Sequence, residues 1–124
     1  MSTTVQLARW VIDERHPTDS WPRAAAVLLR QQLEETMGDH WRAIGRPTMA
    51  NARTRHQLIA LRWYLPKDDD GDGLAADVRL VWLRLTLACH GGTYELPPTA
   101  EQLQAWSEVI DRFGAVTRRC GASR

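Results

Sequence analysis

Residues 74–89, LAADVRLVWLRLTLAC, decide the class of fold. Each residue of an α-helix turns by about 100°, so the apolar side chains of this stretch form two stripes: Val78, Val81, Trp82 and Leu85, and Leu80, Leu83 and Leu87. A helix with apolar residues on two sides is typical of the centre of a helical protein. We therefore predict a central helix over residues 74–89 that is buried on both sides and ends before the glycine pair at 91–92.

Helical spacing of apolar residues continues on both sides of this central helix. The pattern predicts four further helices, over residues 4–14, 20–38, 48–65 and 99–114. Thr99 and Gln102 have the spacing of a capping box, in which each side chain satisfies the other residue's backbone N–H. No pair of alternating runs indicates a β-hairpin. The sequence thus predicts an all-α fold, a single compact bundle of about five helices over residues 1–116 with a short basic tail over 117–124.

The composition is that of one globular domain. Of the 124 residues, 44% are hydrophobic and 25% are charged, a balance that argues against wholesale disorder. No apolar stretch approaches the roughly 20 residues of a membrane-spanning helix. The first fifteen residues lack the basic start and apolar block of a secretory signal. We expect a cytoplasmic protein without a membrane partner.

The formal net charge of +1 conceals a separation of charge along the chain. Residues 40–67 contain six basic residues and no Asp or Glu, whereas residues 68–111 contain nine acidic residues and two arginines. Nearly all the basic residues are arginines, whose planar guanidinium groups bind phosphate through two hydrogen bonds. The basic residues that we predict to bind nucleic acid are Arg42, Arg46, Arg53, Arg55, Arg62, Lys67, Arg118 and Arg119. The alternative is a solvated face whose arginines pair with the acidic residues of 68–77.

Six tryptophans are many for a chain of this length. Trp63, Trp82 and Trp106 fall on the apolar stripes of predicted helices, so we expect them in the core. Trp41 lies instead in the predicted connector after residue 38, next to Arg42. There its ring can stack on a nucleic-acid base, or it can pack over the end of the bundle.

Motifs for metal binding and catalysis are incomplete or missing. Asp68, Asp70 and Asp72 match positions 1, 3 and 5 of a calcium-binding loop, but Arg79 stands at position 12, where a carboxylate is needed. The cysteines and histidines do not have zinc-ligand spacing, and no phosphate-binding loop or nucleophile elbow is present. We therefore expect no metal, no cofactor, no small-molecule substrate and no catalytic activity.

In size, helical plan and arginine-bearing face, the chain resembles the small subunits of CRISPR effector complexes. The resemblance depends on Arg42, Arg46, Arg53, Arg55 and Arg62 and on the predicted helices over residues 4–113, and not on a motif. It implies a compact, non-enzymatic helical protein that lines the path of the guide RNA and its target. Such a protein touches the nucleic-acid backbone through basic residues.

Three hypotheses follow. The leading one is a non-catalytic subunit of a ribonucleoprotein that holds the backbone of RNA or single-stranded DNA sequence-independently and contacts neighbouring protein subunits. The second is a protein–protein adaptor or regulator that docks through the stripe of Leu58, Leu61 and Leu65. The third is a small enzyme or ligand binder around Cys89 and His90, which would need a polar pocket beside those residues.

Overall fold

The computed structural model describes residues 21–69, 71–90 and 96–122. Within these ranges the protein contains four α-helices, one 3-10 turn and no strand, which confirms the all-α class. The elements are α1 (Trp21–Ala43), the 3-10 turn (Pro47–Asn51), α2 (Thr54–Leu61), α3 (Leu74–His90) and α4 (Ala100–Ala122). The first predicted helix, over residues 4–14, lies outside the described residues, so four of the five predicted helical regions can be compared.

Helix α1 continues well beyond its predicted end at Gly38. It ends at Ala43, where the Arg46 N–H donates to the Trp41 carbonyl at 2.7 Å and the Gly45 N–H donates to the Arg42 carbonyl at 3.1 Å. Gly45 has a φ of 77°, the left-handed conformation that this helix ending requires. A glycine inside a helix costs only about 1 kcal/mol, which the burial of the following turn offsets. The prediction that residues 39–47 form a connector was therefore wrong for residues 39–43.

The single helix predicted over residues 48–65 is broken in two. Ala52 and Arg53 have extended backbones, with ψ angles of 161° and 140°, between the 3-10 turn and α2. The break leaves carbonyl groups without helical partners, and the Gln57 side-chain amide donates to those of Ala52 at 2.7 Å and Ala50 at 3.5 Å. One polar side chain thus supports an interruption that the apolar spacing did not indicate.

Helix α3 has the predicted bounds to within one residue, but only one side of it is buried. Val78, Val81 and Leu85 lie in the core, whereas Leu80 and Leu83 on the other stripe are 53% and 45% exposed. The prediction of a helix buried on both sides was wrong. Among the described elements, α3 packs against α1 and α4 on its buried side, and only the short helix α2 adjoins its other side.

Helix α4 begins as predicted and ends later. The Thr99 N–H donates to Gln102 Oε1 at 2.9 Å and the Gln102 N–H donates to Thr99 Oγ1 at 3.1 Å, which confirms the capping box. The helix passes Gly114 and runs to Ala122, with Thr117 buried. Residues 117–122 are therefore part of α4 and not of a loose tail.

The core lies where α1, α3 and α4 meet. It includes Leu29 and Leu33 of α1, Leu85 of α3 and Phe113 of α4, each at most 1% exposed. No helix among the described residues is both long enough and apolar enough to cross a membrane. The bundle buries one face of α3, and the opposite face stays on the surface beside α2.

Candidate nucleic-acid interface

All eight basic residues that the sequence analysis assigned to nucleic-acid binding lie on the surface. Five of them belong to one continuous stretch around α2, and we call them the α2 cations: Arg46, Arg53, Arg55, Arg62 and Lys67. Arg46 follows the end of α1, and Arg53 and Arg62 directly flank the two ends of α2. The break at residues 52–53 therefore places Arg53 at the start of α2.

Ion pairs engage only two of the eight predicted cations within the described residues. Arg42 Nη2 lies 2.7 Å from Asp39 Oδ1, and Arg119 Nη2 lies 3.2 Å from Asp68 Oδ2. None of the α2 cations pairs with a carboxylate in the described part of the chain, and neither does Arg118. The alternative in which the arginines of residues 40–67 pair with the acidic stretch that follows them therefore finds no support in these residues.

One side of α2 combines cations with an exposed aromatic ring. Arg55, Ile59 and Arg62 stand at positions i, i+4 and i+7, so they share one face of the helix, and all three are exposed. The Arg62 guanidinium lies over the Trp63 ring, 4.8 Å from its centroid, and Trp63 is 64% exposed. This surface thus presents positive charge and a large aromatic face together.

Trp41 does not belong to this surface: the prediction that its ring stacks on a nucleic-acid base is wrong, and the ring packs inside the bundle instead. Its side chain is fully buried, and its indole N–H donates to Gln57 Oε1 at 3.0 Å. Its ring packs edge-on against Tyr64, with the ring centroids 5.5 Å apart. Trp63, which we expected in the core, is exposed instead, because α2 ends at Leu61 and the chain turns before it. Trp63, and not Trp41, is therefore the exposed tryptophan of this surface.

The predicted docking stripe is also buried. Leu58, Leu61 and Leu65 are at most 7% exposed and belong to the hydrophobic core, so they cannot meet a partner chain. Leu58 and Leu61 lie on the inner side of α2, and Leu65 follows the end of that helix. The exposed apolar residues of this region are Ile59 and Trp63, together with Leu80, Leu83 and Leu87 of α3.

A groove of about 860 Å³ separates α2 from α3, and we call it the α2–α3 groove. Its walls include Ile59 on one side and Leu80 and Leu83 on the other. The segment 66–73 lies at one end of it and contributes Asp68, Asp69 and Asp72 to its lining. Arg62 and Arg79 also line the groove, so it borders the cationic face of α2.

Asp68 stabilises the segment 66–73 through two contacts of its carboxylate. Asp68 Oδ1 accepts the Gly71 N–H at 3.1 Å, and the carboxylate pairs with Arg119 of α4. Gly71 is required by space: a Cβ atom there would stand 2.0 Å from the Pro66 carbonyl oxygen. Asp70 lies outside the described residues. The aspartates that resemble a calcium-binding loop therefore include one that joins this segment to the end of α4.

Gly71→Ala should destabilise the protein, because the Pro66 carbonyl cannot move away without breaking the turn. We expect a loss of about 1–2 kcal/mol in the free energy of unfolding, measured by urea denaturation. Gly114→Ala is the matched control: it lies within α4, where a Cβ would meet only the Arg118 guanidinium at 3.4 Å. That change should raise stability by up to about 1 kcal/mol. Equal effects of the two changes would contradict the crowding at Gly71.

A buried polar cluster lies beneath the cationic face and joins α1, α2 and α4. His40 is fully buried, and its Nε2 lies 3.1 Å from the Tyr64 carbonyl oxygen. A carbonyl can only accept, so Nε2 carries the hydrogen and Nδ1 accepts from the Thr117 hydroxyl at 3.4 Å. Burial lowers the pKa of His40 below its usual 6.5, against the opposing effect of the hydrogen bond to Tyr64. His40 also contacts the Trp41 ring, and the Trp41 indole N–H donates to Gln57 of α2. These contacts fix the position of α2 relative to α1.

Cys89 and His90 lie at the end of α3. Cys89 packs against the core and His90 is exposed, and neither side chain lines the α2–α3 groove. Among the described residues, no group of three His, Cys, Asp or Glu side chains is placed to hold a metal ion. The polar pocket that the third hypothesis needs is therefore not formed by this groove.

No known protein family, curated protein or solved structure shows a significant match to this chain. The functional argument consequently depends on the surface of the molecule. The features that carry it are the unpaired α2 cations, the exposed Trp63 and the α2–α3 groove.

Proposed function

We propose that this protein is a non-catalytic helical subunit that binds the backbone of RNA or single-stranded DNA through the α2 cations. The observation that carries the proposal is that these five basic side chains are exposed and pair with no carboxylate of the described residues. A cation that already pairs with a carboxylate attracts a phosphate less strongly, because the neighbouring negative charge offsets its own. Unpaired arginines keep their full capacity for phosphate.

The chemistry of the cations favours contacts to phosphate. Each guanidinium that neutralises a phosphate releases condensed counterions, which stabilises the complex most at low salt. The Trp63 ring beside Arg62 offers a stacking surface that accepts any base. Contacts of these two kinds carry little sequence information, so binding should be nearly independent of sequence.

The acidic segment bounds this surface at the end of α2. Asp69 and Asp72 are exposed close behind Lys67, and they would repel a phosphate that approached there. The opposite end of α2 has Arg53 just before the helix and Arg55 in its first turn, with no acidic residue nearby in the sequence. A bound strand would therefore follow Arg53, Arg55 and Arg62 in preference to the segment 66–73.

The test is the triple variant Arg53→Ala/Arg55→Ala/Arg62→Ala. Fluorescence anisotropy with labelled oligo(U) and oligo(dT) should show at least about a tenfold loss of affinity at 50 mM salt. The slope of log K against log salt should become shallower by about 2, since each lost phosphate contact removes roughly 0.7 from it for a single strand. Parallel titrations with the two oligomers also measure any preference between RNA and DNA.

A charge-matched control separates this site from general basicity. Arg30→Ala/Arg42→Ala/Arg112→Ala removes the same three charges, but each of these arginines pairs with a carboxylate, Glu34, Asp39 and Asp77 respectively. Arg42 was predicted from the sequence to bind nucleic acid, but its pair with Asp39 leaves it outside the proposed site. This variant should retain most of the affinity. Equal losses in both triple variants would contradict the site, and no binding by the unaltered protein at 50 mM salt would contradict the function.

The second hypothesis, a protein adaptor, requires a different surface from the one predicted. The stripe of Leu58, Leu61 and Leu65 is in the core, so it cannot dock a partner. The exposed leucines of α3 supply another apolar surface, on which the further inference below depends. The two functions are compatible, since a ribonucleoprotein subunit contacts both nucleic acid and protein.

A further inference from the structure

The outer face of α3 carries an apolar stripe that the described part of the fold leaves uncovered. Ala76, Leu80, Leu83 and Leu87 stand at i, i+4, i+7 and i+11, so they follow one side of the helix over roughly 16 Å. The three leucines are 53%, 45% and 54% exposed. Single exposed leucines are ordinary on protein surfaces, but a continuous stripe of them typically marks an interaction site.

Ala76, Leu80 and Leu83 of this stripe form one wall of the α2–α3 groove, and Leu87 lies beyond its lining. Across the groove, Ile59 of α2 is 50% exposed, and the buried Leu58 and Leu65 also line it. The result is a depression between two helices with Ile59 on one side and Leu80 and Leu83 on the other. Such a depression accepts the apolar face of a third helix, whose side chains fill the space between the two ridges.

The charges around the groove are distributed unevenly. Arg62 projects from the α2 side and Arg79 from the α3 side, and neither pairs with a carboxylate of the described residues. Arg84 is exposed on the other flank of the leucine stripe, and it too has no such partner. The three acidic side chains of the lining, Asp68, Asp69 and Asp72, all belong to the segment 66–73, as does Lys67. Along the leucine stripe itself, the groove is therefore bordered by positive charge.

We propose that the α2–α3 groove binds an amphipathic helix of a partner protein. Apolar side chains of that helix at i, i+4 and i+7 pack on Leu80, Leu83 and Ile59, and acidic side chains on its flanks meet Arg62 and Arg79. This inference does not depend on the proposed binding of nucleic acid.

The same charges argue against two other occupants. A second copy of this chain, docked face to face, would bring Arg79 and Arg84 of both copies close together, and such like charges oppose association. A nucleic-acid strand would find phosphate contacts on the arginines, but it would leave the aliphatic walls of Ile59, Leu80 and Leu83 uncovered. An acidic amphipathic helix satisfies both the apolar walls and the cations.

The experiment is a selection from a display library of 14-residue helical peptides with randomised apolar and charged positions, using the whole protein as bait. Peptides are counter-selected on Leu80→Gln/Leu83→Gln, a variant whose changes lie on the surface and should leave the fold and the affinity for oligo(U) intact. The enriched peptides should have apolar residues at helical spacing and a negative net charge. A representative peptide should bind the double variant at least tenfold more weakly than the unaltered protein.

Leu96→Gln is the matched control, because Leu96 is 94% exposed but does not line the groove. It should leave peptide affinity unchanged, whereas Arg79→Glu should weaken acidic peptides and strengthen basic ones. Enriched peptides without a negative bias, or with equal affinity for the Leu80→Gln/Leu83→Gln variant, would overturn the proposal. So would a loss of oligo(U) affinity in the Leu80→Gln/Leu83→Gln variant, which would place nucleic acid in the groove, or a dimer in light scattering that the double variant abolishes. Failure of the nucleic-acid proposal would appear separately, as absent oligo(U) binding with peptide binding retained.

Discussion

Trp41→Ala is expected to lower the free energy of unfolding by about 3–5 kcal/mol, a large part of the total stability of a domain of this size. The indole is fully buried between α1 and α2, and its removal would leave a cavity among His40, Tyr64 and Gln57. It would also leave Gln57 Oε1 without its donor, which adds to the cost. Urea denaturation followed by circular dichroism measures the change.

Two further variants keep this prediction decisive if the alanine variant does not fold. Trp41→Phe keeps most of the ring but loses the N–H, so it should cost about 1–3 kcal/mol through the unpaired Gln57 oxygen. Trp63→Ala, at the exposed tryptophan, should change stability by no more than about 0.5 kcal/mol. A larger cost at Trp63 than at Trp41 would show that the buried and exposed tryptophans have been assigned the wrong way round.

Stability is expected to fall as the pH drops below about 6.5, because folding buries His40 in its neutral form. Burial lowers the pKa of His40 in the folded state, so below pH 6.5 the unfolded chain binds a proton that the folded one does not. The contribution of His40 is therefore complete above pH 6.5 and is lost progressively at lower pH. The slope is at most about 1.4 kcal/mol per pH unit, down to the pKa of the folded state.

The surroundings of the ring explain the direction of this effect. Nε2 donates to a carbonyl, Nδ1 faces a hydroxyl, and the Trp41 and Phe113 rings lie 5.4 and 5.5 Å away. None of these groups is an anion that could stabilise an imidazolium. A proton on His40 would thus place an uncompensated charge in the core.

His40→Gln tests the assignment, because the glutamine amide can still donate to the Tyr64 carbonyl but does not titrate. Urea denaturation between pH 5 and 8 should show a flatter dependence for this variant than for the unaltered protein. His56→Gln, at an exposed histidine of α2, should keep the original dependence. If His40→Gln retained the full slope, another group would be responsible for the loss of stability in acid.

The cationic half of the candidate site could be predicted from the chain alone. A run of six basic residues without an acid is visible in the sequence, and charged side chains stay in water unless they are paired, so their exposure follows from their chemistry. The aromatic and apolar parts could not be predicted in the same way. Whether Trp41 or Trp63, and Leu61 or Ile59, faces solvent depends on where each helix stops and on what lies beside it.

Local sequence specified the features that depend only on neighbouring residues. These are the helical class, the bounds of α3 and the capping box that begins α4, because apolar spacing and short-range hydrogen bonds act within one or two turns. Packing between distant segments specified the rest. Because of this packing, α1 extends past Gly38 and α4 extends past Gly114. The predicted helix over residues 48–65 is interrupted at Ala52, and one stripe of α3 is exposed to water. In each case, the apolar area buried against another helix decides the outcome, and it does so against a small local cost. That area is buried only once the helices have come together.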